Sequence, residues 1–238
     1  LSGVAKVENV QTTRFELKYN SDLSDRTLRL KSRAPSITVD DLPNFVKAKA
    51  IHIAPVAGEI TSEVVEKLRS CTEVLSLDPQ GLVRTFNQNG DVARSPLKDE
   101  CILGLISIYK SSLGEIETIT KQSDLNSAVK RIHDYGVKTV IVTLGMKGTM
   151  LSVEGDVCNI PAYRTKVVDP TGAGDAFAGG FLAEYVNGEN HLRCACVGSA
   201  TASLVVEAPG PTFFGEKAEI YRRARLLHEK EIKERRIS

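Results

Sequence analysis

The stretch Val167-Val168-Asp169-Pro170-Thr171-Gly172-Ala173-Gly174-Asp175-Ala176-Phe177-Ala178-Gly179-Gly180 carries residue types and spacing suited to chemistry. An apolar strand end runs into a turn of small residues and then into a helix. Such a turn leaves backbone N–H groups pointing outward at the positive end of a helix, which makes an anion site. Gly172 and Gly174 let a ligand come close to the backbone. Phosphate is the anion that suits such a turn best. The plain alternative is a tight strand-to-helix turn in which Asp175 caps the helix. The turn is not a P-loop, because no Gly-Lys followed by Ser or Thr stands five residues after a glycine. It also departs from the dinucleotide fingerprint, since Phe177 stands where the third glycine belongs.

Three further stretches offer chemistry. Val142-Thr143-Leu144-Gly145-Met146-Lys147-Gly148 ends a strand in a glycine-bearing turn. Lys110-Ser111-Ser112-Leu113-Gly114-Glu115 brings a carboxylate to the start of a helix. Asp78-Pro79-Gln80-Gly81-Leu82-Val83-Arg84 closes another strand. In an open α/β sheet ligands bind at the carboxyl ends of strands, so Gln80 or Arg84 is placed to reach a substrate or a phosphate. A turn with a surface arginine is the competing reading.

These residues need elements to hold them. Phe15, Leu17 and Tyr19 alternate with polar neighbours, as do Leu28 and Leu30 after a polar turn at Ser21 to Asp25. Period two with one polar face predicts a half-exposed antiparallel sheet over residues 1–35. Beyond it the pattern predicts strands at Ile51–Ala54, Val74–Leu77, Ile106–Tyr109 and Val137–Leu144. The last is apolar enough for a buried parallel strand. Helices are predicted over Thr61–Ser70 and from an N-cap at Ser123 to Gly136. A hairpin turning at Glu154-Gly155-Asp156 precedes helices near 175–187, 192–206 and 215–235. Alternating strands and helices imply an α/β fold, residues 36–238, with a mostly parallel sheet flanked by helices.

The run Asp169 to Phe177 closely resembles the C-terminal signature of the ribokinase, or PfkB, family of carbohydrate and nucleoside kinases. Val142 to Gly148 is similar to that family's nucleotide-binding strand and turn. Lys110 to Glu115 is similar to its NxxE motif, with Ser112 where the family usually has Asn. All three occur in the family's order, and the resemblance spans about residues 4 to 215. It implies a ribokinase-like fold with a small β-sheet lid, and transfer of the ATP γ-phosphate to a hydroxyl of a sugar or related polyol. A nucleoside kinase of the same family, or a nucleotide-binding protein that no longer catalyses, are the alternatives.

Residue by residue, the resemblance makes Asp175 the catalytic base and the N–H groups of Gly172, Ala173, Gly174 and Asp175 the anion hole. Glu115 then organises hydrated Mg²⁺, against the alternative of an exposed acid at a helix start. Thr143, Gly145 and Gly148 line the ATP site, with Ser199 toward the adenine unless it is only a helix-packing serine. Asp169 and Thr171 match positions near a monovalent-cation site, and helix capping explains them nearly as well. The β lid covers the sugar and excludes water, with Thr13 or Arg14 against substrate. It also offers a surface for a homodimer.

Composition narrows the classes further. The chain has 238 residues, 42% hydrophobic and 26% charged, with a net charge of +1. A chain this long buries about 70% or more of its unfolded surface, so it folds without disulfides. The even charge balance argues against a nucleic-acid partner. The basic run Arg222 to Arg236 is interleaved with Glu229, Glu231 and Glu234, as on a solvated helix. Five cysteines without CxxC spacing fit a reduced compartment. With no run of 18 apolar residues and no signal-peptide core, a soluble cytoplasmic protein is expected. The chain starts at Leu1 and lacks the paired-glycine motif and substrate-binding Asp with which these kinases begin. A missing N-terminal segment that holds much of the substrate pocket is therefore expected.

Overall fold

The computed structural model describes residues 6–21, 26–43, 47–210 and 212–235, with side chains as far as Glu231. Of the polar turn expected at Ser21 to Asp25, only Ser21 lies within the described residues. In the main sheet six strands lie in the order Asp156–Ile160, Thr149–Val153, Thr139–Thr143, Ile108–Ser112, Val74–Leu77 and Ala50–Ile53, a mixed sheet flanked by helices. The chain divides into two compact units, residues 1–109 with 114–137, and residues 110–113 with 138–238.

In the first unit, β1 (Arg14–Tyr19) and β2 (Arg26–Ser32) pair antiparallel, as the alternation at 15–31 predicts. β3 (Ala50–Ile53) runs parallel to β4 (Val74–Leu77), and β4 parallel to the start of β7 (Ile108–Ser112). α1 (Ser62–Arg69) buries Val64 and Val65, with Glu63 near its start and Lys67 and Arg69 in its last turn, in line with the helix dipole. α2 (Leu113–Thr120) follows β7 directly, and α3 (Leu125–His133) begins at an Asp124 cap that accepts the Ser127 N–H.

Two features here depart from expectation. The strand expected at Ile106–Tyr109 is shifted two to three residues later, and Glu100–Leu105 is a 3₁₀ helix. Lys110 and Ser111 are buried strand residues, and alternation rules read such polar residues as loop. The second departure is a hairpin of β5 (Arg84–Phe86) and β6 (Val92–Arg94), with strands too short to show a period. Asn87 Oδ1 accepts the N–H groups of Asn89 and Asp91 to shape its turn. The hairpin extends the front sheet, because Leu30 donates its N–H to Gly90 O at 2.8 Å and Arg29 bridges to Asp91.

In the second unit, β8 (Thr139–Thr143) pairs antiparallel with β9 (Thr149–Val153), which pairs antiparallel with β10 (Asp156–Ile160). The apolar run at Val137–Leu144 thus serves a buried strand whose β9 side is antiparallel. α4 (Ala173–Tyr185) packs against α5 (His191–Val205), and α5 against α6 (Lys217–Arg235). α5 is buried nearly all round, including Cys194, Cys196 and Ser199. On α6, Arg223 is buried and bonds Glu207 and Glu219 at 2.7 Å each and Ser203 Oγ at 3.0 Å. Its guanidinium also lies 4.5 Å from the centre of the Tyr163 ring. These bonds hold α6 to the end of α5.

Candidate functional site

The glycine turn lies in the second unit. Gly172 is the N-cap of α4 with φ 82°, a left-handed conformation that favours glycine. Asp175 is therefore the third helical residue and not the cap, which removes the capping explanation for it. Its side chain is exposed at the positive end of the helix. The approach to the turn is fixed from below. Val206 O accepts the N–H groups of Val168 at 2.7 Å and Asp169 at 3.2 Å. The Asp169 carboxylate accepts Thr171 N–H and Gly210 N–H, both at 2.8 Å. Asp169 thus has a turn-bracing role in this structure.

Ala173 donates its N–H to Pro170 O at 3.2 Å, and Ala176 donates to Gly172 O at 2.9 Å. One of the four N–H groups expected to meet an anion is thus engaged within the turn. Those of Gly172, Gly174 and Asp175 belong to the opening of the helix, where N–H groups lack intrahelical acceptors. Lys110, on β7 and only 6% exposed, reaches the turn at Gly174. Its Nζ is 2.7 Å from where a Cβ at position 174 would stand, so a larger residue there would displace the end of the lysine side chain. Sequence reasoning assigned Lys110 no role. The signal was available in principle, since a lysine is almost never fully buried unless paired.

Thr143 closes β8 and donates Oγ1–H to Ser111 O at 3.3 Å. Leu144 donates its N–H to Gly148 O, and Gly148 donates to Gly145 O, which closes the turn expected at 145–148. Gly148 has φ 98°, and a Cβ there would fall 2.1 Å from Ile160 O. Gly145 is exposed with open space around it. Ser199 is buried on α5, and its Oγ has no hydrogen-bond partner among the described residues. Ser203 on the same helix instead donates to Ala200 O at 2.6 Å.

The remaining candidates lie in the first unit. Asp78 is buried at the end of β4, and its Oδ1 accepts Gln80 N–H at 3.2 Å. Arg84 donates to Gln80 Oε1 and to Val56 O, both at 2.8 Å, and lies 5.3 Å from the centre of the Phe15 ring. Burial pulls the Arg84 pKa down, as do Arg26 and Arg94, while Glu115 and Asp78 oppose the shift. Glu115 is half-buried in the first turn of α2. Next to it, a Cβ at Gly114 would fall 2.6 Å from Arg94 Nη1, so Arg94 is a neighbour that sequence reasoning missed. Arg14 is exposed at the start of β1, and Thr13 Oγ1 accepts Ala34 N–H at 3.0 Å. Among the described residues no cluster of three or more His, Cys, Asp or Glu is arranged to hold a metal. Glu115 fits an ion whose other ligands come from water and phosphate, as Mg²⁺ prefers.

Comparison with known proteins agrees with this architecture. Over 219 residues the chain is 28% identical to the cytidine kinase of Thermococcus kodakarensis, covering 88% of this chain and 76% of that one. It is 30% identical to the inositol 3-kinase of Arabidopsis thaliana over 213 residues, covering 86% of this chain and 57% of that protein. The chain thus spans little more than half the length of that relative. A pyrophosphate-dependent kinase of the ribokinase family, solved as a sulfate complex, superposes with a TM-score of 0.77 at 26% identity, covering 89% of this chain and 74% of that one. The sequence profile described as pfkB family carbohydrate kinase matches residues 4–218. The glycine turn, the sheet order and this match over nearly the whole chain agree, and the chain belongs to the pfkB family of carbohydrate kinases.

Proposed function

We propose that this chain transfers the terminal phosphoryl group of ATP to a hydroxyl of a sugar or related polyol. The observation that carries the reading is Asp175, exposed in the first turn of α4 beside glycine-spaced N–H donors and the buried ammonium of Lys110. Phosphoryl transfer rests on positioning and on charge stabilisation, and this arrangement supplies both. The Asp175 carboxylate takes the proton of the attacking hydroxyl. The N–H groups of Gly172, Gly174 and Asp175 face the charge that builds on the phosphoryl oxygens, and Gly174 keeps the approach open.

Thr143, Gly145, Gly148 and Ser199 hold the nucleotide. Gln80 and Arg84, already bonded to each other, hold the acceptor or its phosphate with Arg14. Glu115 holds water of the hydrated Mg²⁺, which neutralises phosphate charge when bound with the donor. Asp169 and Thr171 border a monovalent-cation site. Residues 1–35 act as a lid that excludes water and pairs with a second copy, and residues 36–238 carry the chemistry. No helix among the described residues is long and apolar enough to cross a membrane. Five free cysteines suit a reducing cytoplasm.

Similarity to a cytidine kinase across 88% of the chain supports a nucleoside as the second acceptor class. The deciding experiment assays phosphate transfer to hexoses, pentoses, inositols and nucleosides, with ATP and with pyrophosphate. Turnover of a sugar or inositol is expected. Preference for a nucleoside moves the acceptor class, and failure with every acceptor while ATP still binds overturns the catalytic reading.

A further inference from the structure

We propose that Arg26, Arg84 and Arg94 form one anion-binding row on the front sheet, and that the acceptor of the phosphoryl group itself carries an oxyanion held by that row. The inference rests on the kinase reading above and deepens it from a polyol to an acidic polyol, one that bears a carboxylate or a phosphate ester. Arg84 and Arg94 are direct cross-strand partners in the hairpin of β5 and β6. Cross-strand partners share a face, and like charges placed so repel. β2 lies beside β6, joined by the antiparallel bridge from Arg29 to Asp91. From that bridge β2 runs back three residues to Arg26 and β6 runs on three residues to Arg94. An odd step along a strand turns the side chain to the other face. Arg26 and Arg94 thus share the face opposite Arg29 and Asp91, and each of three neighbouring strands brings an arginine to it.

The contacts of these side chains orient them without cancelling their charge. Arg84 lies 5.3 Å from the centre of the Phe15 ring and donates to Gln80 Oε1 and Val56 O, both at 2.8 Å. Arg26 donates to Tyr19 Oη at 3.1 Å, again a neutral acceptor. Arg94 reaches α2, with Nη1 2.6 Å from where a Cβ at Gly114 would stand, next to Glu115. Among the described residues, the charges felt at Arg84 are Arg26 and Arg94 against Glu115 and Asp78. With Arg84 counted, three cations meet two anions there. A planar guanidinium matches the paired oxygens of a carboxylate or a phosphate. A surplus of such forks, held on one face against their own repulsion, suits an arriving oxyanion. A neutral sugar does nothing to offset that repulsion.

The test compares matched acceptors, ribose with ribose 5-phosphate and glucose with glucuronate. Calorimetric titration gives the affinity for each, and assays with ATP and Mg²⁺ give kcat/KM. A charge-assisted hydrogen bond corresponds to about 10- to 150-fold in affinity. Wild-type protein is expected to favour the anionic member of at least one pair by about 10-fold or more. The pair that responds distinguishes a phosphate ester from a carboxylate. Arg26→Gln and Arg94→Gln are each expected to lower that ratio by about 10-fold or more. Arg94→Lys keeps the charge without the fork and is expected to lower it less. Both positions are exposed, so the core is spared, and if one variant does not fold the other carries the test. Equal affinity within both pairs overturns the proposal, as does a preference that both Gln variants retain. A loss that falls on ATP affinity instead overturns it too and assigns the row to the donor. The binding ratio needs no turnover, so the two readings fail separately. A selective ratio without phosphate transfer to any acceptor refutes the kinase reading and keeps the anion site. Transfer to neutral sugars without the ratio refutes the row alone.

Discussion

An aspartate in the third position of a helix is an ordinary surface residue unless something beside it needs a proton taken. Asp175 stands beside the glycine-spaced opening of α4, and its exposure leaves it accessible to a second reactant. General-base assistance contributes about 10²–10⁴ in rate. Asp175→Asn keeps the size of the side chain and removes the carboxylate proposed as the base. Turnover is expected to fall by about 10²–10⁴, with donor affinity held within about twofold by the unchanged N–H groups. Steady-state kinetics together with donor titration checks this, and near-normal turnover rejects the assignment. The glycine turn and the helix it opens were legible because their spacing is local: four consecutive residues define the turn. The nearness of Lys110 was not, because it is a contact between residues 64 positions apart, 110 and 174.

The elements were mostly legible where periodicity is strong. α3, the hairpin of β9 and β10, and the helices of the last third fall within a few residues of the positions expected from apolar spacing. β7 was displaced because its second half is buried yet polar, and β5 with β6 gave no period over three residues each. α6 carries its own prediction. Burial works to raise the Glu207 pKa, but hydrogen bonds from Arg223 and Thr165 win and hold it below the ordinary carboxylate value. Arg222 and Arg223 hold Glu219 down at about 2. A carboxylate with a depressed folded pKa contributes stability above its unfolded value, about 4.3. That contribution is lost as pH falls through the folded value. The α6 clamp is thus expected to be intact at pH 5 and above and to loosen progressively toward pH 2. Arg223→Met breaks the pairs, lowers stability at neutral pH and flattens the acid limb of the stability profile. Melting temperature measured from pH 7 down to pH 2.5 tests it, and parallel profiles for the two proteins contradict the clamp.

For the whole molecule, donor binding must appear as stability. A ligand at about 100 times its Kd that binds only the folded state adds about 2.7 kcal/mol. For a chain of this length each kcal/mol moves Tm by about 2–4 °C. ATP with Mg²⁺ is therefore expected to raise Tm by about 5–11 °C, and Asp175→Asn should retain that rise. Calorimetric scans with and without nucleotide measure it. No rise in either protein argues against a nucleotide donor. Fold class was legible at this scale from alternating strands and helices. The division of the chain into two units was not, because β7 runs out of one and into the other within five residues.

The burial of α5 supplies a clock. Burial pushes the thiols of Cys194 and Cys196 up to about 12, so at neutral pH they are held as thiols. An alkylating reagent in buffer thus reacts with them only when α5 opens, and the rate of labelling counts those openings. Donor held at the end of α4, which packs against α5, should lengthen the interval between them, so mass spectrometry of labelled protein can follow occupancy without any enzymatic readout.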